Sequence, residues 1–221
     1  MTQIKVKTNI LQANDEVAGQ LKERFRAKGI TVINLISSPG AGKTTLLEHS
    51  IPRLTEKYRV GVIEGDILTT RDADRIAKLN VPVVQIETKG ACHLDANMVL
   101  KAAEQLDLDN LDFIIIENVG NLVCPATFEL AEDAKVVVLS IAEGSDKPAK
   151  YPTIFTRAKA CILNKMDLLP YSNFSLDDFY QDIKRINPQM EVFEVAALQE
   201  TGLDSWLKWL EGMMVNGGQK D

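Results

Sequence analysis

Residues 37–45 read Ser37-Ser38-Pro39-Gly40-Ala41-Gly42-Lys43-Thr44-Thr45, after an apolar run at Thr31–Ile36 and before a segment of helical length at Thr44–Lys57. A strand, a glycine-bearing loop and a helix in that order form a cradle for phosphate. Glycine lets backbone N–H groups turn inward, the helix N-terminus favours negative charge, a lysine reaches the β- and γ-phosphates, and a hydroxyl ligates Mg²⁺. Gly40, Ala41, Gly42, Lys43, Thr44 and Thr45 fill those places. The usual pattern, G-x-x-x-x-G-K-S/T, opens on glycine, whereas that position here is Ser37, so the entry turn is made without its most permissive residue. The stretch points to a nucleoside triphosphate.

Six more apolar runs follow, at Arg59–Ile63, Val81–Ile86, Leu111–Ile116, Lys135–Ile141, Ala160–Leu163 and Glu191–Val195. Most are continuous rather than alternating, the pattern of strands buried on both faces. Helical lengths lie between most of them, at Arg71–Leu79, Leu94–Leu106, Leu176–Ile186 and Leu203–Met214. Strand alternating with helix predicts an α/β fold, a mainly parallel sheet with helices on both faces. Ahead of it, Ile10, Leu11, Val17, Ala18, Leu21 and Phe25 recur near a 3.6 period and Gly29 ends the run, which predicts a leading amphipathic helix over Asn9–Lys28. The expected organisation is an N-terminal helical segment, 1–29, on or beside one nucleotide-binding domain, 30–215, and a polar tail, 216–221. Such sheets bind ligands beyond the carboxyl ends of their strands, so the residues after each run are where chemistry is sought.

Composition narrows the partners. The 221 residues are 45% apolar and 25% charged, enough for one ordinary core. A net charge of −6 without a basic cluster disfavours a nucleic-acid partner. No apolar run approaches the ~20 residues of a membrane span, and the first residues carry no secretory signal, so the cytoplasm is expected. Three cysteines are too few for a disulfide framework and leave thiols for metal or for the core.

Asn164-Lys165-Met166-Asp167 follows a late strand, about 120 residues after the phosphate loop. An N-K-x-D carboxylate there accepts N1–H and N2–H₂ of guanine, and adenine offers no matching donors, so Asp167 is expected to select GTP. Two acids sit where other strands end: Asp66 in Glu64-Gly65-Asp66, and Glu117 in Glu117-Asn118-Val119-Gly120. Thr44 and Asp66 are the expected Mg²⁺ ligands, with Lys43, Asp66 and Glu117 in the catalytic roles and Gly120 as the backbone sensor of the γ-phosphate. A helix cap or a solvated loop remains the plainer alternative for each carboxylate. For Asp72 and Asp74, which open a helical stretch, capping suffices.

Lys89-Gly90-Ala91-Cys92-His93-Leu94-Asp95 follows one strand, and Cys124 lies seven residues beyond Glu117. Two thiolates and an imidazole suit a borderline-soft ion such as Zn²⁺ or Ni²⁺ and leave a fourth position for water, a metal donor or a second subunit. Free cysteines of the core are the alternative. Any movement that a γ-phosphate imposes on Glu117–Gly120 would reach Cys124 over a short covalent path. His49 reads as a surface or packing residue and Cys161 as a small core residue.

The strings SSPGAGKTTLLE, EGDI, TRDADRI, KGACHLD, ENVGNLVCPA, EGSDKPAKYP, NKMDLLPY and RINP…TGLDSWLKWL together resemble the nickel-insertion GTPases of [NiFe]-hydrogenase maturation, the HypB family, over nearly the whole chain. The resemblance implies a P-loop NTPase of the SIMIBI type, binding GTP or GDP, in which GTP promotes a homodimer and a Cys-His pair with a second Cys holds metal. Those positions match Cys92, His93 and Cys124. It further implies a HypA-like nickel/zinc-binding maturation partner and a hydrogenase large-subunit precursor, and it places Lys147 or Lys150 near a nucleotide or the dimer partner. Residues 1–30 lack Cys and His, so the N-terminal nickel sites of some members are missing and delivery is expected to lean on a partner. The base-holding loop, often S-A-x-x-G, is Ala196-Ala197-Leu198-Gln199 here, where the N–H of Ala197 serves the base. Two rival readings are a urease accessory GTPase, which typically carries a C-P-H run, and a metal carrier or scaffold that uses GTP only to hold a dimer.

Asp167→Asn is expected to shift preference from GTP toward xanthosine triphosphate in competition binding. Unchanged guanine preference would remove Asp167 from the base site.

Overall fold

In the computed structural model, which describes residues 6–66 and 71–217, all seven apolar runs are parallel strands of one sheet. They are β1 (Thr31–Ser37), β2 (Val60–Asp66), β3 (Val83–Glu87), β4 (Phe113–Glu117), β5 (Ala134–Ser140), β6 (Ala160–Asn164) and β7 (Glu191–Glu194). Their order is β3-β2-β4-β1-β5-β6-β7. Residues 218–221 of the expected tail lie outside the described residues, as do 67–70, which include Ile67 of EGDI and Thr70 of TRDADRI.

The helices are α1 (Val6–Ala27), α2 (Lys43–Leu54), α3 (Arg71–Ala77), α4 (Ala96–Ala103), α5 (Lys147–Lys150), α6 (Pro152–Arg157), α7 (Leu176–Ile186) and α8 (Leu203–Gly217). Sequence periodicity finds the longer ones and misses α5 and α6, whose four and six residues are too few to show a 3.6 period. Pro148 and Pro152 open these two helices, where a missing N–H costs nothing.

Burial explains the continuous apolar runs. On β1, Ile33 and Leu35 pack with Leu46 and Leu47 of α2 and Trp206 of α8, while Val32 faces the cluster beneath α1 and α4. Ile36 belongs to a third cluster with Phe155 of α6 and Phe179 of α7. The edge strands β3 and β7 are only partly buried, and their sequences alternate more.

The leading helix α1 is tied to the sheet domain by more than its apolar stripe. Leu21 and Phe25 are buried against Val99 and Ala102 of α4, each worth about 2 kcal/mol of burial. Asn14, also buried, accepts the N–H of Ala96, the first residue of α4, at 2.8 Å and donates to the Glu129 carbonyl at 2.9 Å. Those bonds fix the entry of α4, and with it the loop that carries Cys92 and His93.

The strand order puts the carboxyl ends of β1, β2 and β4 side by side, since β4 lies between β1 and β2. The phosphate loop, the Glu64–Asp66 acids and Glu117 therefore converge on one rim. Asn164, at the end of β6, stands across β5 on the other side of β1.

Candidate functional site: a phosphate cleft beside a thiol–imidazole cluster

A cleft of about 440 Å³ opens over the phosphate loop, walled by Lys43, Thr44, Glu64, Asp66, Glu117 and Lys165 among others. Gly40 and Gly42 carry φ of 77° and 98°, which glycine adopts freely. Space at Gly42 is equally restrictive: a β-carbon there would lie 2.5 Å from Nδ2 of Asn164. The α2 N-terminus has no side-chain cap, so its N–H groups face the cleft without a protein acceptor from the cap residue. The departure at Ser37 has a structural reason. Ser37 is the last, extended residue of β1 and needs no positive φ; its hydroxyl accepts Lys43 Nζ at 2.8 Å and donates to the Ser38 carbonyl at 2.6 Å. Burial lowers the Lys43 pKa, against the pull of Glu117.

Acids crowd the other wall. Thr44 Oγ1 donates to Oε1 of Glu117 at 2.8 Å, and Glu117 is 4% exposed. Glu64, 2% exposed, is the direct cross-strand neighbour of Glu117 in the β2–β4 register. The outer oxygens, Oε2 of Glu64 and of Glu117, are buried without a hydrogen-bond partner. Burial and the neighbouring Glu117, Asp66 and Asp72 push the Glu64 carboxyl up to about 8, and burial raises Glu117 as well. Buried acids left with open oxygens beside a threonine hydroxyl form an oxygen donor set that fits a hard divalent cation.

Two of these features escape sequence reasoning. Glu64 stands inside an apolar strand next to the more obvious Asp66, and its signal was that two glutamates occupy adjacent strands. Asp72, which the sequence explains by capping, walls the cleft and accepts Arg75 Nη1 at 3.1 Å. Arg75 also holds Glu48 at 2.9 and 2.6 Å and Thr45 Oγ1 at 3.0 Å, clamping α3 to the start of α2.

At the far end, Asn164 and Lys165 brace the phosphate loop. Asn164 Nδ2 donates to the Ala41 carbonyl at 2.9 Å, and its Oδ1 accepts the N–H of Ala197 at 3.2 Å. Lys165, in the left-handed region at φ 61°, donates Nζ to the Gly40 carbonyl at 2.7 Å. Asp167 is exposed, with Oδ2 accepting Gln199 Nε2 at 3.2 Å. Of the four expected residues, Lys165 lines the cleft, Asn164 bonds the phosphate loop and the Ala197 N–H, and Asp167 faces outward.

Beyond Glu117 the chain turns back on the phosphate loop. A β-carbon at Gly120 would lie 3.0 Å from both N and Cα of Pro39, tighter than ordinary contact, so glycine permits this close approach. Four residues later Cys124 opens a 3₁₀ turn, and the ligand atoms of Cys92, His93 and Cys124 all fall within 4.8 Å of one another. Cys92 is exposed, and its Sγ lies 3.7 Å from His93 Nδ1. The His93 ring stacks on Phe128 with centroids 4.0 Å apart, and burial lowers its pKa, which favours the neutral imidazole that a metal needs. Contact with Cys124 raises the Cys92 thiol. Two donors from the loop after β3 and one from the loop after β4 suit three-coordinate binding of a borderline-soft ion with one position open.

The remaining sequence candidates lie elsewhere. His49 pairs with Glu200 at 3.1 Å, and Cys161 is wholly buried in β6. Lys147 lies 5.6 Å over the Tyr151 ring and Lys150 pairs with Asp146 at 2.5 Å; neither walls the phosphate cleft. No helix among the described residues is long and apolar enough to cross a membrane.

A parallel sheet with this loop at the end of its central strand defines a P-loop nucleotide-binding protein. The CobW/HypB/UreG nucleotide-binding domain model matches residues 31–194. Hydrogenase maturation factor HypB of Escherichia coli K12 is 46% identical over 208 residues, covering 94% of this chain and 72% of that protein. The hydrogenase/urease maturation factor HypB of Helicobacter pylori J99 is 40% identical over 211 residues, covering 94% and 86%. A crystal structure of H. pylori HypB in complex with nickel superposes at a TM-score of 0.88 and 39% identity, over 94% of this chain and 98% of that one. The chain belongs to the CobW/HypB/UreG family and, within it, to the HypB group. The expected α/β fold class is borne out.

The raised Glu64 pKa makes a pH prediction. Its folded value, about 8, exceeds the ordinary 4.5, so the nucleotide-free fold binds an extra proton between the two and loses stability as pH rises through that window. Glu64→Gln is expected to recover about 1–3 kcal/mol at pH 8 and to leave stability at pH 4.5 nearly unchanged, in urea titrations without Mg²⁺ or nucleotide. Equal pH slopes in both proteins would contradict the burial argument.

Proposed function

We propose that the protein is a slow GTPase of the metallochaperone class that binds Ni²⁺ and delivers it during [NiFe]-hydrogenase maturation. The observation that carries this reading is the convergence of Cys92, His93 and Cys124 within 4.8 Å, with Cys124 on the same loop as Gly120, which touches the phosphate loop. The nickel-bound H. pylori relative supports nickel over zinc as cargo.

On GTP binding, Lys43 would exchange the Ser37 hydroxyl for the β- and γ-phosphates, and Gly40–Thr45 would wrap the phosphates with their N–H groups. Thr44 Oγ1 would turn from Glu117 to Mg²⁺, which supplies charge neutralisation at those phosphates when bound. Asp66 and Glu117 would hold the ion's waters and orient the attacking one, and Glu64, stripped of its proton, would join them. Asp167 would exchange Gln199 for the guanine edge, with Asn164, Lys165 and Ala197 fixing the pocket behind it. Gly120 would follow the γ-phosphate and carry Cys124 with it. No arginine or glutamine among the described residues donates to the phosphate side except Arg75, which is committed to Glu48 and Asp72, so turnover is slow.

The open fourth position suits a second copy of the chain, so GTP-promoted homodimers would complete the metal shell. Handing on a soft ion calls for a donor and an acceptor, and the family resemblance supplies a HypA-like partner and the hydrogenase large-subunit precursor in those places. The cytoplasm is the compartment proposed, where reduced thiols persist. A urease role has one observation in its favour, that the H. pylori relative is a hydrogenase/urease maturation factor. The Cys124-Pro125-Ala126 run, which lacks a histidine after the proline, favours hydrogenase.

Cys124→Ala is expected to abolish the one equivalent of nickel bound in a competition titration and to leave GTP affinity within about twofold of the parent, since the two sites share a loop but no ligand. An unaltered nickel titration would return Cys124 to a packing role.

A further inference from the structure

The two loops that bear the metal cluster meet through one buried side chain. Oδ1 of Asn118, 1% exposed, accepts the N–H of Leu94 at 3.2 Å and that of Val119 at 2.9 Å. Leu94 follows His93, and Val119 precedes Gly120, so a single carbonyl oxygen holds the neighbour of an imidazole donor and the neighbour of the glycine packed on Pro39. A second tie joins the same loops at the surface, where Asn121 Nδ2 donates to the Cys92 carbonyl at 3.1 Å.

Asn118 is itself anchored from below. Its Nδ2 donates to Oδ1 of Asn34 at 3.2 Å, and Asn34 Nδ2 donates to Oε1 of Glu132 at 3.1 Å. Glu132 is held at 2.5 Å by both the N–H of Leu130 and the buried ammonium of Lys135. This chain of contacts has a direction. Both oxygens of Glu132 accept, one from the Leu130 N–H and the other from Lys135 Nζ, so Asn34 presents its NH₂ to Glu132 and its oxygen to Asn118. Asn118 must then donate to Asn34 and keep its oxygen toward Leu94 and Val119. The ion pair, about two side chains away, dictates which way the Asn118 amide faces.

Sheet packing alone does not call for these residues. Asn34 is wholly buried on β1 between Val32 and Ile36, on the same face, where those two neighbours belong to apolar clusters. A buried polar chain offers little net stability over an aliphatic filling of the same space.

We propose that Asn118 is a positioning residue that transmits nucleotide state to the metal loop, with Asn34, Glu132 and Lys135 as its fixed mount. The inference rests on the reading in the preceding subsection and names the device within it. Movement of Val119–Gly120 toward a γ-phosphate withdraws one of the two N–H groups from Oδ1. The mounted amide cannot flip to compensate, so the bond to Leu94 changes in length and angle, and Cys92 and His93 shift against Cys124. The covalent path through residues 118–124 moves Cys124 and, through Asn121, pulls on the Cys92 carbonyl; Asn118 reaches the backbone that carries His93.

The test has two parts. Nickel affinity is measured by competition titration in the GDP state and with a non-hydrolysable GTP analogue, for the parent and for Asn118→Ala. The parent is expected to differ about tenfold or more between the two states, and Asn118→Ala less than about threefold, with nickel stoichiometry and GTP affinity retained. A variant whose ratio equals the parent's overturns the role of Asn118 alone, whereas a parent with no difference overturns the coupled reading as well. Amide hydrogen exchange of the metal-free parent needs no variant: protection at Leu94 is expected to change between the two nucleotide states, and identical protection overturns the proposal.

Discussion

Everything in this protein that joins nucleotide to metal depends on one close approach, that of Gly120 to the backbone of Pro39. A β-carbon there would lie 3.0 Å from two backbone atoms and push the loop after β4 away from the phosphate loop by a few tenths of an ångström. Because the two loops lie this close, the residue proposed to sense the terminal phosphate and a thiol proposed to hold metal share one short segment. Strand order makes the contact possible: β4 is the immediate neighbour of β1, so their carboxyl ends open onto the same rim.

Around that contact the fold tolerates groups it would otherwise exclude. Glu64 and Glu117 are cross-strand neighbours on β2 and β4, each with its Oε2 buried and unpartnered, and burial beside Glu117 holds the Glu64 proton up to about 8. Lys43, the nearest positive group, is buried too and spends its hydrogen bond on Ser37. A divalent ion in the cleft would displace the Glu64 proton and give both carboxylates an opposite charge, as a phosphate would give Lys43. The polar chain from Lys135 to Asn118 is a different case, fully satisfied from end to end, and its effect is to fix orientation.

Much of this was legible before the coordinates. The seven continuous apolar runs mark the seven strands because a sheet covered on both faces leaves no room for alternation. The phosphate loop and N-K-x-D string are legible because their chemistry is local, a few residues deep. Cys92, His93 and Cys124 are nameable as one donor set from residue type and resemblance, and the fold adds that their ligand atoms lie within 4.8 Å of one another. Glu64, Asp72 and Arg75 were passed over because their neighbours come from other elements: Glu117 from β4, Glu48 and Thr45 from α2. Asn34 and Asn118 gave no signal at all, an asparagine in an apolar strand being visible as an exception but not as half of a pair.

Linkage makes the proposed coupling of phosphate and metal through the loop after β4 reciprocal. The most direct measurement is the ratio of GTP-analogue to GDP affinity, taken without metal and again with one equivalent of nickel bound. The account predicts that nickel changes this ratio by about tenfold or more, by the same factor with which nucleotide changes nickel affinity. A ratio that is the same with and without nickel would contradict it.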